Sequence, residues 1–416
     1  MKRRTLLKQS AAMASSLLWA PHLFSQAKQP LSVQGKGHNA YFSQLNQQLK
    51  QSGPGHPVII VDYNRLNHNI DQIVSSVGPE KSYRAVVKSL PSVQLLEHVI
   101  TRAKSNRLMV FHQPFLNEIA THFPNSDALL GKPMPVTAAR TFYNKLKRGN
   151  FNPATQVQWL IDSQQRLLQY QALARELGVH MTLNFEINVG LFRGGFESPQ
   201  ALSQALQVVK VDERLSLGGM MGYEPHLTGL KADLKHPAVQ KVLSVYHGHI
   251  DAVKAAGFDP HNLTLNGAGS HTLPIYKNDK TMNDLSAGSG VVMPTDFDTH
   301  HLQQNQPALF IATPILKRYR QNPVMPNPPA SMQQVYYIYG GYWKANMVSP
   351  PNISEPIYES TNQSPIGTST DVDLEVDDYM FLRPTQSEFV MLQFGDLLVF
   401  KDGEISQRWP VFHQTR

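Results

Sequence analysis

The chain has 416 residues, no cysteine, and a net charge of +7 from 38 basic and 31 acidic side chains. With 41% apolar and 17% charged residues it belongs with globular chains that bury a sizeable core. The missing cysteine excludes disulfide scaffolds, thiolate catalysis, Cys-ligated zinc and iron–sulfur clusters. Lys2, Arg3, Arg4 and Lys8 carry much of the excess charge, so the remainder does not have the basic balance of a nucleic-acid binder.

The first residues read as an address. M-K-R-R-T-L-L-K precedes a weakly apolar stretch over 11–24 and then Ser25-Gln26-Ala27, small residues that predict cleavage after Ala27, so 1–27 is a signal peptide. Arg3-Arg4 before Thr5-Leu6-Leu7-Lys8 fits a twin-arginine signal, with an ordinary Sec signal as the alternative. The apolar stretch is short for an anchor and is broken by serines and Pro21. Export to the bacterial periplasm is therefore the expectation, through a machinery that carries folded proteins and often their cofactors.

Residues 28–62 form an N-terminal segment whose run 58–61 predicts a strand joining the C-terminal β domain. A helix on Leu66, Ile70, Ile73, Val74 and Val77 follows. Over 63–305, apolar runs at 83–87, 108–111, 127–130, 157–161, 181–185, 215–221, 263–265 and 290–293 read as strands. Between them lie helical faces such as Leu167, Tyr170, Leu173, Ala174 and Leu177, or Leu202, Ala205, Leu206 and Val209. Continuous apolar strands alternating with helices predict parallel strands covered on both faces. The fold class is thus α/β, a (β/α)8 TIM-type barrel, with a doubly wound sheet as the alternative. From 306 to 416 the pattern changes to β-formers such as Val335-Tyr336-Tyr337-Ile338-Tyr339, a stretch rich in Pro, Asn and Ser over 346–370, and runs at 389–392, 397–401 and 408–412. With Asp402-Gly403 as a hairpin turn, these predict a C-terminal antiparallel β domain.

Lys88 stands in Ala85-Val86-Val87-Lys88-Ser89-Leu90, at the end of the first barrel strand and so on the catalytic face. Apolar neighbours desolvate it in part, which favours a free amine able to form a Schiff base. A lysine reaching out to solvent is the plainer reading of the same feature. After the seventh strand, Asn266-Gly267-Ala268-Gly269-Ser270-His271-Thr272 lets backbone N–H groups converge on a phosphate, with the Ser270 and Thr272 hydroxyls at hand. Gly288-Ser289-Gly290, before the run taken as the eighth strand, is a second loop of this kind. Barrels bind phosphate in these loops, and with Lys88 they sketch a phosphorylated aldehyde cofactor, pyridoxal 5′-phosphate. His247 and His249 are two apart on a helix and face apart. Asp296, Asp298, His300 and His301 read as a polar loop at the barrel rim.

Five ordered segments resemble the D-threonine aldolase and D-serine dehydratase family, whose barrel is that of the alanine racemases. They are the opening strand and helix over 57–70, Arg84-Ala85-Val86-Val87-Lys88-Ser89 beside the family's Arg-Pro-His-x-Lys-Thr, Glu186 to Gly195, Gly222-Tyr223-Glu224-Pro225-His226-Leu227 beside Gly-Tyr-Glu-Gly-His, and Gly267 to Thr272. The resemblance implies pyridoxal phosphate held by Lys88, with Arg193 and Tyr223 at the cofactor and Gly267, Gly269, Ser270, Thr272, Gly288 and Ser289 around it. It implies a lyase acting on a small D-3-hydroxy amino acid by aldol cleavage or dehydration. Lys88 would take the Cα proton in dehydration, and His226 or Glu388 would serve near the β-hydroxyl in aldol cleavage. A racemase using Tyr223 or Tyr276, and a non-catalytic binder, are the alternatives. It also implies a homodimer, one chain's β domain closing the other's barrel mouth. Two departures stand out. Ala85 and Val86 replace the family's Pro and His, and the C-terminal metal motif, Pro-Asn-His-x-Cys or His-x-Asp, reads Pro384-Thr385-Gln386-Ser387-Glu388. Gln386 and Glu388 therefore stand at the ligand positions. A neutral amide is a poor zinc ligand, although the two oxygens suit a harder divalent metal.

Overall fold

The computed structural model describes residues 37–147 and 149–414, so the export signal expected over 1–27 lies outside the described residues. The first strand, β1 (Val58–Asp62), stands outside the barrel. Val58 and Ile60 pack with Phe42, Leu45 and Leu49 of the helix Ala40–Ser52, while Ile59 and Val61 turn to the barrel-side core. Both faces are covered, so the strand is continuously apolar over 58–61 rather than alternating. Asp62 then caps the helix Tyr63–Val77 by accepting the Arg65 N–H at 2.9 Å.

The barrel strands are β2 (Ser82–Val86), β3 (Arg107–Val110), β4 (Asp127–Leu130), β5 (Val157–Ile161), β6 (Met181–Glu186), β7 (Leu215–Met221), β8 (Thr264–Gly267) and β9 (Asp284–Ala287). They pair in parallel in chain order, and β9 closes on β2. This is a (β/α)8 barrel. The run 290–293 is not its last strand, because Ser289–Val291 forms a 3-10 turn and the strand lies earlier, at β9. The reason is polar: Asp284 accepts from Arg84 Nε and Arg107 Nη1, both at 2.8 Å, and Ser286 accepts from Asn266 Nδ2 at 2.8 Å. A strand that supplies a buried ion-pair network hides from a search for apolar runs. Gly288-Ser289-Gly290 consequently follows the eighth strand and lies on the same end of the barrel as Lys88.

The second sheet runs β12 (Ala345–Ser349), β14 (Tyr379–Pro384), β10 (Leu309–Tyr319), β1, β15 (Asp396–Lys401), β16 (Glu404–Pro410). Two further strands lie off this path, β11 (Gln334–Ile338) pairing with β10 and with β13 (Ser364–Thr368). The sheet is mixed rather than wholly antiparallel, because β1 runs parallel to β15. The run 389–392, expected as a strand, belongs to the short helix Glu388–Met391. Val390 and Met391 are buried side by side while Phe389 is exposed, a helical turn and not the alternation of a strand. Beyond β16, Phe412 packs on Phe115 at 4.9 Å between centroids and donates its N–H to the Pro91 carbonyl at 2.8 Å, clipping this end of the chain to the barrel. Among the described residues no helix is long and apolar enough to cross a membrane.

Candidate active site

Lys88 lies on the 3-10 turn Val87–Ser89, immediately beyond β2. Val87 and Leu90 are fully buried and anchor the turn, leaving the lysine side chain 45% exposed. The desolvation expected from its apolar neighbours is therefore only partial. Its Nζ is 3.2 Å from Glu388 Oε1 and 5.1 Å from the centre of the Phe111 ring. The same carboxylate oxygen accepts the Ser89 hydroxyl at 3.1 Å and the Ser289 hydroxyl at 3.3 Å, and Ser289 Oγ accepts the buried Ser387 hydroxyl at 2.8 Å.

The two small-residue loops meet through one side chain. Ser270 Oγ accepts the Gly288 N–H at 3.2 Å and the Gly290 N–H at 3.1 Å. Both bonds use acceptor capacity, so the Ser270 hydroxyl proton stays available to a ligand. Glycine is required by the packing: a Cβ at Gly288 would lie 2.7 Å from Ser89 Cβ, one at Gly290 2.8 Å from Ser270 Cβ, and one at Gly269 2.9 Å from the Tyr223 ring. A Cβ at Gly267 would run into Met282 Sδ and the Tyr246 hydroxyl. Thr272 is turned inward, where it accepts the Gly269 N–H at 3.0 Å and donates to Glu224 Oε1 at 2.7 Å.

Tyr223 and Glu224 follow β7. Burial, then the Glu224 carboxyl, raise the Tyr223 hydroxyl above its ordinary range against the pull of Arg193. Arg193 stands over the Tyr223 ring at 4.9 Å and reaches Glu186 Oε1 at 3.3 Å. Glu224 is fully buried, and that burial pushes its carboxyl up to about 7 despite the Thr272 hydrogen bond. Its Oε2 has no hydrogen-bond partner among the described residues. Tyr276 is buried as well, its hydroxyl raised far above the ordinary range by burial and then by the Glu224 charge. His226 stands exposed on the turn Pro225–Leu227 and packs near Gly190; among the described residues it hydrogen-bonds none of those around Lys88. The residues that sequence reasoning left without a role are Ser89, Glu224 and Ser387. Each adjoins or lies in a quoted segment, yet nothing in the letters shows where their side chains converge.

The positions expected to hold a metal do not converge. Gln386 donates its amide N–H to Asp296 Oδ2 at 2.6 Å, while Glu388 is held by Lys88 and the serines. Among the described residues no group of three or more His, Asp or Glu side chains is placed to hold a metal ion. At the rim, Asp298 is taken by Arg383 at 2.6 Å, and His271 stacks on Phe297 at 4.2 Å between centroids.

Comparison with known proteins bears on this geometry. The family model described as "Alanine racemase, N-terminal domain" matches residues 61–295. No curated protein matches the sequence. Among solved structures, D-threonine aldolase from Filomicrobium marinum is similar with a TM-score of 0.71 at 14% identity, over 86% of this chain and 98% of that one. D-threo-3-hydroxyaspartate dehydratase from Delftia sp. HT23 gives 0.72 at 14% identity, over 88% and 99%. Alanine racemase of Clostridium difficile 630 gives 0.63 at 14% identity, over 85% and 97%. At such identities the likeness is one of fold.

Proposed function

The chain belongs to the alanine racemase N-terminal domain family, and from that premise we propose that it is a pyridoxal-phosphate-dependent lyase acting on a small D-3-hydroxy amino acid. The observation that carries the reading is the convergence on one barrel end of a strand-end lysine and two glycine–serine loops joined through Ser270. The residues present fit the group: glycines at 269, 288 and 290 let the two loops pack closely against Tyr223, Ser89 and Ser270, which sets the buried Ser270 and Ser289 hydroxyls beside the Lys88 turn as donors for phosphate oxygens. Bound there, the cofactor supplies an aldehyde for an amine and a ring that stabilises negative charge at Cα.

The chain's own residues do the rest. Lys88 Nζ is the amine at the reacting end and, when free, the base within reach of a Cα proton. Arg193, held between Glu186 and the Tyr223 ring, fixes a cation beside the ring position. The Ser270 and Ser289 hydroxyls orient the phosphate end, Ser270 being set in place by the Gly288 and Gly290 amides that donate to it. Gln386 and Glu388 do not fit a divalent metal as they stand, so no step is routed through one. Tyr223 and Tyr276, the racemase bases, are both raised by burial, the opposite of what a base requires. We place the protein in the periplasm, on the twin-arginine-type signal in its sequence, and as a homodimer.

Product analysis with D-threonine, D-serine and D-3-hydroxyaspartate tests the reading. Glycine with an aldehyde assigns aldol cleavage, and a keto acid with ammonia assigns dehydration. Exchange of D and L forms without either product would replace the lyase with a racemase.

A further inference from the structure

Glu388, expected from the sequence at a metal-ligand position or as a base near the β-hydroxyl, instead sits against Lys88 at the centre of the site. One of its oxygens lies 3.2 Å from the Lys88 ammonium, 3.1 Å from the Ser89 hydroxyl and 3.3 Å from the Ser289 hydroxyl. An ammonium and two hydroxyls around a single oxygen are the donor set of an anion site. Ser289 belongs to the second glycine loop, and Lys88 is the amine a carbonyl ligand must reach. We propose, resting on the cofactor assignment above, that Glu388 is an internal anion competing with pyridoxal phosphate for these donors, and that its carboxylate leaves Lys88, Ser89 and Ser289 when the cofactor is taken up.

The physical reasons are three. An ammonium held by a carboxylate offers no lone pair to a carbonyl carbon, since all its hydrogens are donors. A carboxylate and a phosphate within a few ångströms of the same donors repel each other. Exchange requires only the side chain to move, because the flanking backbone is fixed: Ser387 is fully buried and bonded to Ser289, and Val390 and Met391 lie in the main core. The Glu388 side chain is 24% exposed and that of Lys88 45%, so water screens the pair and can solvate both charges on separation. The sequence position read as a metal ligand is thus occupied by a group acting on the lysine itself.

The test uses the purified full chain as wild type, Glu388→Gln and Glu388→Ala, with thermal unfolding to show that the variants fold. Pyridoxal phosphate is added at neutral pH, samples are quenched with borohydride at intervals, and pyridoxyl-Lys88 peptide is quantified by mass spectrometry. Both variants are expected to label roughly tenfold faster than wild type, the lower range of what a local charge does to an association rate. Equal or slower labelling in the variants, with Lys88 labelled in wild type, overturns the inference and leaves the cofactor assignment standing. No labelling of Lys88 in any of the three overturns both.

Discussion

Glu224 shows how far a single side chain can depart from its ordinary chemistry in this fold. Burial raises its carboxyl to about 7 from an ordinary value of 4.5, while the Thr272 hydroxyl and the Ala268 and Glu224 backbone pull the other way. The folded state therefore holds this proton more tightly than the unfolded chain. The stability this contributes is complete below about pH 4.5 and is lost as pH rises through about 7, in all about 3 kcal/mol at about 1.4 per pH unit. His271 works in the opposite sense. Burial lowers it to about 4, so stability falls as pH drops from 6.5 toward that value. Glu224→Gln keeps a partner for Thr272 without the charge, so its unfolding free energy should change less between pH 4.5 and 7 than that of wild type. Above pH 7 the variant should be the more stable protein. Denaturant unfolding across pH measures this, and parallel curves for the two proteins would refute the assignment. Nothing in Gly222-Tyr223-Glu224 distinguishes a buried carboxyl from an exposed one, because the groups that meet it, Thr272 and the Ala268 backbone, lie more than forty residues further along the chain.

Among the elements, the loop after β9 is where packing and function coincide. A Cβ at Gly288 would lie 2.7 Å from Ser89 Cβ, in the Lys88 turn, and 2.8 Å from Val86 Cβ, just before it. Gly288→Ala should therefore cost about 1–3 kcal/mol by overpacking and displace Lys88. Gly149→Ala, which meets nothing within 4 Å, serves as the control. Urea unfolding together with pyridoxal phosphate labelling of both variants checks this, and a Gly288→Ala protein matching the control in both would contradict it. The element pattern was readable where burial is apolar: β4, β5 and β7 lie where their apolar runs begin and end. It failed at β9, where Asp284 and Ser286 serve the Arg84 network, and at Glu388–Met391, where one helical turn resembles a short apolar strand. Both misreadings touch the candidate site. Polar interiors and single turns are decided by partners distant in sequence, and local patterns do not record them.

At the scale of the whole molecule, the chain lays down β1, builds the barrel, and returns through β10 to pair with β1. This return carries β14 and the helix Glu388–Met391 to the barrel end where Lys88 lies, so a C-terminal residue meets a lysine 300 positions earlier. The barrel was legible from apolar runs alternating with helical faces, and so was the position of Lys88 at the end of its first strand. The Lys88–Glu388 contact was not, since it exists only once both sheets are assembled. The central claim, that Lys88 is the residue to which pyridoxal phosphate couples, is tested most directly by visible absorbance and peptide mass. Wild type and Lys88→Ala are incubated with the cofactor, with and without borohydride. Coupling at Lys88 predicts a long-wavelength band in wild type that borohydride bleaches, a pyridoxyl mass on the Lys88 peptide, and neither in Lys88→Ala. The same band in Lys88→Ala, or no band in either protein, would contradict it.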